Sequence, residues 1–118
     1  MDFPFVMLTP FGKVFDGPVN ALYVDTTKGR LGILPNHTSL IGELPKKGVL
    51  KIETQGKTLY AALFHGALMV KGDRVVILSE SATLFDSEDK AKEFLSKDRK
   101  PLSFEDESVA LGEKMLQK

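Results

Sequence analysis

Two histidines are the residues best suited to chemistry in this chain, and neither has the company that chemistry requires. His37 lies in Leu34-Pro35-Asn36-His37-Thr38-Ser39, two positions before a hydroxyl that an imidazole could activate for acyl transfer. Such a pair needs a third group to orient the base and an oxyanion pocket beside it, and the sequence has no nucleophile elbow. His65-Gly66 stands between two apolar runs, where glycine permits a bulge or tight bend. A metal there would need further ligands, yet the chain has no cysteine and no His or carboxylate cluster of suitable spacing. Lys28-Gly29-Arg30-Leu31-Gly32 lacks the Gly-Lys-Ser/Thr ending that positions nucleotide phosphates. Lys46-Lys47 reads as a solvated turn. By elimination the chain binds rather than reacts, and no metal or cofactor is expected.

The elements that hold these residues follow from composition. The chain has 118 residues, 42% hydrophobic and 27% charged, with sixteen basic residues balancing sixteen acidic ones. That size supports one compact core with a small appendage. A net charge of zero argues against nucleic-acid binding, which rests on clustered Lys and Arg releasing counterions. The longest apolar stretch, Leu59 to Val70, is interrupted by His65 and Gly66 and is too short to span a bilayer. Met-Asp-Phe-Pro at the start has no basic region leading into an apolar run, so no secretory signal is expected.

The pattern changes near Asp86. Nine of the ten glycines and five of the six prolines precede it, punctuating short apolar runs, whereas Lys, Glu, Ala and Ser dominate after it. Regular turn signals between short runs predict strands, and the later composition predicts helix. Strands are expected at Phe3 to Leu8, Lys13 to Phe15, Val19 to Thr26, Leu31 to Leu34, Val49 to Thr54, Lys57 to Leu63, Ala67 to Lys71 and Arg74 to Ser79. Asp16-Gly17-Pro18, Gln55-Gly56 and Gly72-Asp73 supply turns, the last a two-residue hairpin loop. On this reading Gly42 breaks a strand and Thr9 belongs to the turn before Pro10. The expected fold is mainly β with an α-helical tail: an antiparallel β-sandwich or flattened barrel of eight to ten strands over residues 1–86, then a short two-helix segment over 87–118.

In the tail, Ser87 is the expected N-cap, Glu88 and Asp89 fill the first turn, and Lys97, Arg99 and Lys100 stand near the end, an order that suits the helix dipole. Ala91, Phe94 and Leu95 form the apolar face, and Pro101 stops the helix. Ser103 and Asp106 open a second helix, with Leu111 and Met115 on one face. Two helices this short need to pack on something to persist.

Gly29-Arg30-Leu31-Gly32-Ile33-Leu34-Pro35-Asn36-His37-Thr38-Ser39-Leu40 resembles the signature Gly-x-x-Gly-Ile/Val-x-Pro-Gly-His-x-Pro-Leu of the epsilon subunit family of F-type ATP synthase. Val6 to Gly17 with its Thr9-Pro10 step, Gly66 to Val70, and Val75 to Ala82 agree with that family in order and spacing. The resemblance covers residues 3 to about 86. Four positions depart from it: Asn36 for Gly, Ser39 for Pro, His65 for a common Gly, and Arg30 for a frequent Glu. Asn is the non-glycine residue that best tolerates a left-handed backbone, so the turn at Asn36 is expected to survive.

The resemblance implies a non-catalytic rotor subunit of the central stalk that links the gamma subunit to the c-ring, with alpha and beta subunits as further partners through the tail. It implies gamma-facing roles for Thr9, His37 and Gly42 and a ring-facing role for Arg30. It also implies a bacterial protein at the cytoplasmic face of the cell membrane, touching the membrane only indirectly. Some family members bind ATP through an Ile/Leu-Asp-x-x-Arg-Ala motif. Here Asp86-Ser87-Glu88-Asp89-Lys90-Ala91 keeps either the carboxylate or the cation in register but not both, so no ATP site is expected at Asp86–Ala91. The rival reading is a free-standing ligand-binding β-sandwich, which would call for aromatic platforms; the chain has no Trp and two Tyr.

Overall fold

The computed structural model describes residues 1–97. Eight strands precede one helix: β1 Phe3–Thr9, β2 Gly12–Val19, β3 Ala21–Thr26, β4 Gly29–Ile33, β5 Leu40–Leu44, β6 Gly48–Thr54, β7 Lys57–Lys71, β8 Arg74–Phe85 and α1 Glu88–Ser96. The strands are hydrogen-bonded in the order β2-β1-β8-β7-β6-β3-β4, and β5 pairs with β7 off that path.

The long β7–β8 hairpin turns this one sheet into two layers. The first half of β7, up to Leu63, pairs with β6; its second half, from Gly66, pairs with β5 on the same side. β8 follows β7 through both halves without a change of register. One layer is therefore β2-β1-β8-β7-β5 and the other β8-β7-β6-β3-β4. Phe5, Met7, Leu68, Val70, Val75 and Ile77 from the first meet Leu22, Val24, Ile33, Leu50, Ile52 and Leu63 from the second in one buried core. Each such side chain contributes roughly 1.5–3 kcal/mol by leaving water.

The fold between the layers falls at His65-Gly66, the bend anticipated from the sequence. Both residues have positive φ, +46° and +149°. Opposite them, the buried Ser79 hydroxyl accepts from the Phe64 N–H at 3.2 Å and lies 2.7 Å from the Ser81 carbonyl and 3.1 Å from that of Phe64. A side chain thus replaces ladder bonds that the bent backbone cannot make.

Several expectations need correction. Asp16-Gly17-Pro18 is not a turn but lies inside β2, paired with Val6, Phe5 and Pro4 of β1, with a register shift at Met7/Leu8. β2 pairs with β1 alone, an edge position where Pro18 lacks no ladder partner. Val19 ends β2, and the chain bends at Asn20 before β3 begins. Gly42 does not break a strand; it sits mid-way along β5, a strand the turn signals did not reveal. The sheet is not closed into a barrel, and β1 pairs with β8 in parallel.

Ser87 caps α1 as expected, its side chain accepting from the Lys90 N–H at 3.2 Å. Ala91 and Leu95 are buried and Phe94 packs beside them against Val49, Ala62 and Phe64, on the outer face of the β6–β7 layer. α1 ends at Ser96 with Lys97 as C-cap, short of the expected stop at Pro101. The Lys47 ammonium donates to the Leu95 carbonyl at 3.1 Å, satisfying one of the acceptors that a helix end leaves open. The second helix expected from Ser103 onward lies outside the described residues.

Candidate functional site

Helix α1 covers the outer face of one layer; the outer face of the other carries no described element. Strand alternation decides what that face presents. Because Phe5, Met7, Leu68, Val75 and Ile77 point into the core, their neighbours Val6, Leu8, Met69, Val76 and Leu78 point out. Ile41 joins them from β5, since a Cβ at its neighbour Gly42 would face inward, toward Leu68 and Thr26. Register aligns Ile41, Met69, Val76 and Val6 in one row across four strands, with Ala67, Leu78 and Leu8 in the next row. Ile41 is 82% exposed and Leu78 41%. Shallow hollows flank the stripe, one between Leu8, Pro10 and Leu78 and another between Ile41, Met69 and Lys71. This apolar face is the candidate contact surface of the described residues.

Of the four residues singled out from the sequence, Thr9 borders this face. Its hydroxyl donates to the Gly12 carbonyl at 3.1 Å and accepts from the Phe11 N–H, tightening the β1–β2 turn. Gly42 and Arg30 come into one neighbourhood: β5 lies against the β3–β4 turn, where the Thr27 N–H donates to the Glu43 carbonyl at 2.9 Å. Arg30 is exposed and 3.4 Å from Asp25, whose other oxygen accepts from the Val49 N–H.

His37 lies at the opposite end, near the β7–β8 turn, where the Ser39 hydroxyl accepts from the Gly72 N–H at 3.4 Å. His37 Nδ1 is 2.8 Å from the Leu34 carbonyl, and its ring meets Phe3 edge-on with centroids 5.2 Å apart. A carbonyl only accepts, so Nδ1 carries the proton and a neutral ring presents a lone pair at Nε2. Nε2 is buried without a hydrogen-bond partner among the described residues. His37 and Ser39 are thus engaged with separate backbone groups and not with each other. No group of three or more His, Cys, Asp or Glu among the described residues is arranged to hold a metal ion.

The Asp86–Ala91 stretch is taken up by the start of α1. Lys90 Nζ is 2.9 Å from the Asp86 carboxylate, Ser87 caps the first turn and Ala91 is buried. The hydrogen bond and charge of Lys90 hold the Asp86 carboxyl below its ordinary value.

A family model described as the ATP synthase delta/epsilon chain β-sandwich domain matches residues 2–85. The chain belongs to this family. It is 36% identical over 93 residues to the ATP synthase epsilon chain of Bacillus velezensis, covering 79% of this chain and 70% of that one. With the epsilon chain of Corynebacterium urealyticum it shares 37% identity over 79 residues, covering 66% of this chain but only 64% of that relative. Less than two thirds of that relative's length is therefore spanned. A chain of the mitochondrial ATP synthase of Euglena gracilis, in an OSCP/F1/c-ring structure, has the same fold, with a TM-score of 0.66 at 23% identity over 85% of this chain and 68% of that one. Asn36, which replaces the glycine of the family signature, has φ +66°, the left-handed conformation expected of it.

The outward-facing residues Val6, Leu8, Met69, Val76 and Leu78 were missed as a site by the sequence reading. Their signal was present: Phe-Val-Met-Leu and Val-Val-Ile-Leu are apolar at every position, where a strand with one wet face would alternate.

Proposed function

We propose that this chain is a non-catalytic central-stalk subunit of a bacterial F-type ATP synthase, turning with the gamma subunit and the c-ring as ion flow drives ATP synthesis. The observation that carries this reading is the apolar outer face of the β5-β7-β8-β1 sheet, which no described element covers, in a family whose members are ATP synthase chains. Gamma docks on that face, with Thr9 at its border. Gly42 lies behind it, over Leu68, with its neighbour Ile41 projecting outward. His37 acts through packing or a hydrogen bond, with Nδ1 engaged by the Leu34 carbonyl and Nε2 unpartnered among the described residues. The β3–β4 turn with Arg30 rests on the c-ring. Between these contacts the two-layer core resists compression, so torque applied at one passes to the other with little slip. The complex sits on the membrane through its ring, and this chain is peripheral to it; among the described residues no helix is long and apolar enough to cross a bilayer.

The test is binding of the full chain to its cognate gamma–c-ring complex by co-sedimentation, wild type against Ile41→Asp. The wild type binds. The variant loses at least tenfold in affinity while its thermal midpoint holds, because Ile41 is open to solvent in the isolated chain. Absence of wild-type binding at micromolar concentration, or turnover of a small molecule by the chain alone, overturns the assignment.

A further inference from the structure

The apolar face has unlike ends. At the bend, Glu43 follows Ile41 outward along β5 and Glu80 follows Leu78 outward along β8, with His65 between them. At the β7–β8 turn, alternation brings out Lys71 beyond Met69 and Arg74 before Val76, a directly paired couple. Six residues of strand separate Arg74 from Glu80, or about 20 Å at the rise of a β-strand.

Neither end is closed by an ion pair between a carboxylate and a Lys or Arg among the described residues. The Glu43 and Glu80 carboxylates have only His65 as an ionic neighbour among the described residues, at 3.8 Å from Nε2 and 3.6 Å from Nδ1. A neutral imidazole has one N–H, so it can serve at most one of them. Lys71 and Arg74 have no ion pair among the described residues. Asp73, beside them in sequence, faces the hollow lined by Asp2, Phe3, Pro35 and Asn36. The remaining charges on this layer, Lys13 and Asp16 of β2, pair with each other at 2.8 Å.

We propose that the segment docked on this face is itself charge-polar, with Lys or Arg side chains over Glu43 and Glu80 at one end of an apolar stripe and carboxylates over Lys71 and Arg74 at the other. The occupant is a surface of the gamma subunit, so the inference rests on the assignment above. The apolar rows supply affinity, and the opposed ends supply direction: a segment laid on the stripe the other way round would set like charges against each other at both ends. A helix of about four turns spans 20 Å and fits that length.

The experiment measures affinity and association rate of the full chain for the cognate gamma subunit at low and high salt. The variants are Glu43→Gln with Glu80→Gln, Lys71→Gln with Arg74→Gln, and Glu43→Lys with Glu80→Lys. All these side chains are solvent-accessible, and unchanged thermal midpoints verify the fold. Either neutralised pair is expected to bind several-fold more weakly and to lose part of the salt dependence of its association rate. The lysine pair is expected to lose tenfold or more. Wild-type affinity and salt response in all three, with Ile41→Asp still defective, would overturn the polarity and leave the docking assignment standing. Failure of the wild type itself to bind gamma overturns both.

Discussion

A side chain at Gly66 would collide with the carbonyl oxygen of Leu78, because the two backbones meet at the fold between the layers. Gly66 also has φ +149°, a conformation that L side chains rarely adopt. Gly66→Ala is therefore expected to destabilise the chain by at least about 3 kcal/mol, since neither backbone can retreat without tearing the β7–β8 ladder. Urea unfolding measures this, and a loss below about 1 kcal/mol would mean that the bend is far softer than a packed corner.

Ser79 is the polar half of the same corner. Ser79→Ala leaves the Phe64 N–H without its acceptor in a buried setting, at an expected cost of about 1–3 kcal/mol. Amide exchange should quicken first at Phe64; uniform quickening across the sandwich would argue against a local defect.

Replacing the N-cap Ser87 by Ala removes the acceptor for the Lys90 N–H and is expected to cost α1 about 1 kcal/mol. Because α1 lies on the face of β6 and β7 away from the core, the loss should appear as faster exchange in residues 88–96, with the strands unaffected.

The acid limb of stability has a defined contributor in Asp86. Its carboxyl is depressed in the folded chain by Lys90, so the stabilisation is present above the unfolded aspartate value of about 4 and fades as pH falls through the lower folded value. Carboxyl NMR titration should place Asp86 below an ordinary aspartate. Lys90→Met should return it upward, and added salt should shrink the difference, because the pair is fully exposed.

His37→Ala removes the bond to the Leu34 carbonyl and the edge contact with Phe3. The isolated chain should lose about 1–2 kcal/mol and stay folded, while assembly with gamma weakens. Equal affinity for gamma in a folded variant would remove His37 from the docking contribution.

Much of the fold was legible in residues whose local chemistry admits one outcome. Gln55-Gly56 and Gly72-Asp73 turn as their conformational freedom requires, with Gln55, Gly56 and Gly72 all at positive φ. His65-Gly66 bends, and Ser87 caps. Asp16-Gly17-Pro18 misled because turn residues also suit an edge strand, where a missing donor faces no neighbour; pairing to β1 overrides the local signal. β5 was invisible because Leu-Ile-Gly-Glu-Leu is short and interrupted, and its pairing with the far half of β7 is a long-range event. The outer apolar face was hidden for another reason. Periodicity tells which side of a strand is apolar, but whether an apolar side meets the chain's own core or another molecule depends on how the layers stack.

The parallel pairing of β1 with β8 makes the sandwich's first strand wait for its last. Val6 and Leu8 emerge from the ribosome about seventy residues before Val76 and Leu78, the side chains beside which they stand. The surface built from both ends of the domain thus comes into being only when synthesis of the domain is finished, so a truncated or half-made chain has no such face to offer.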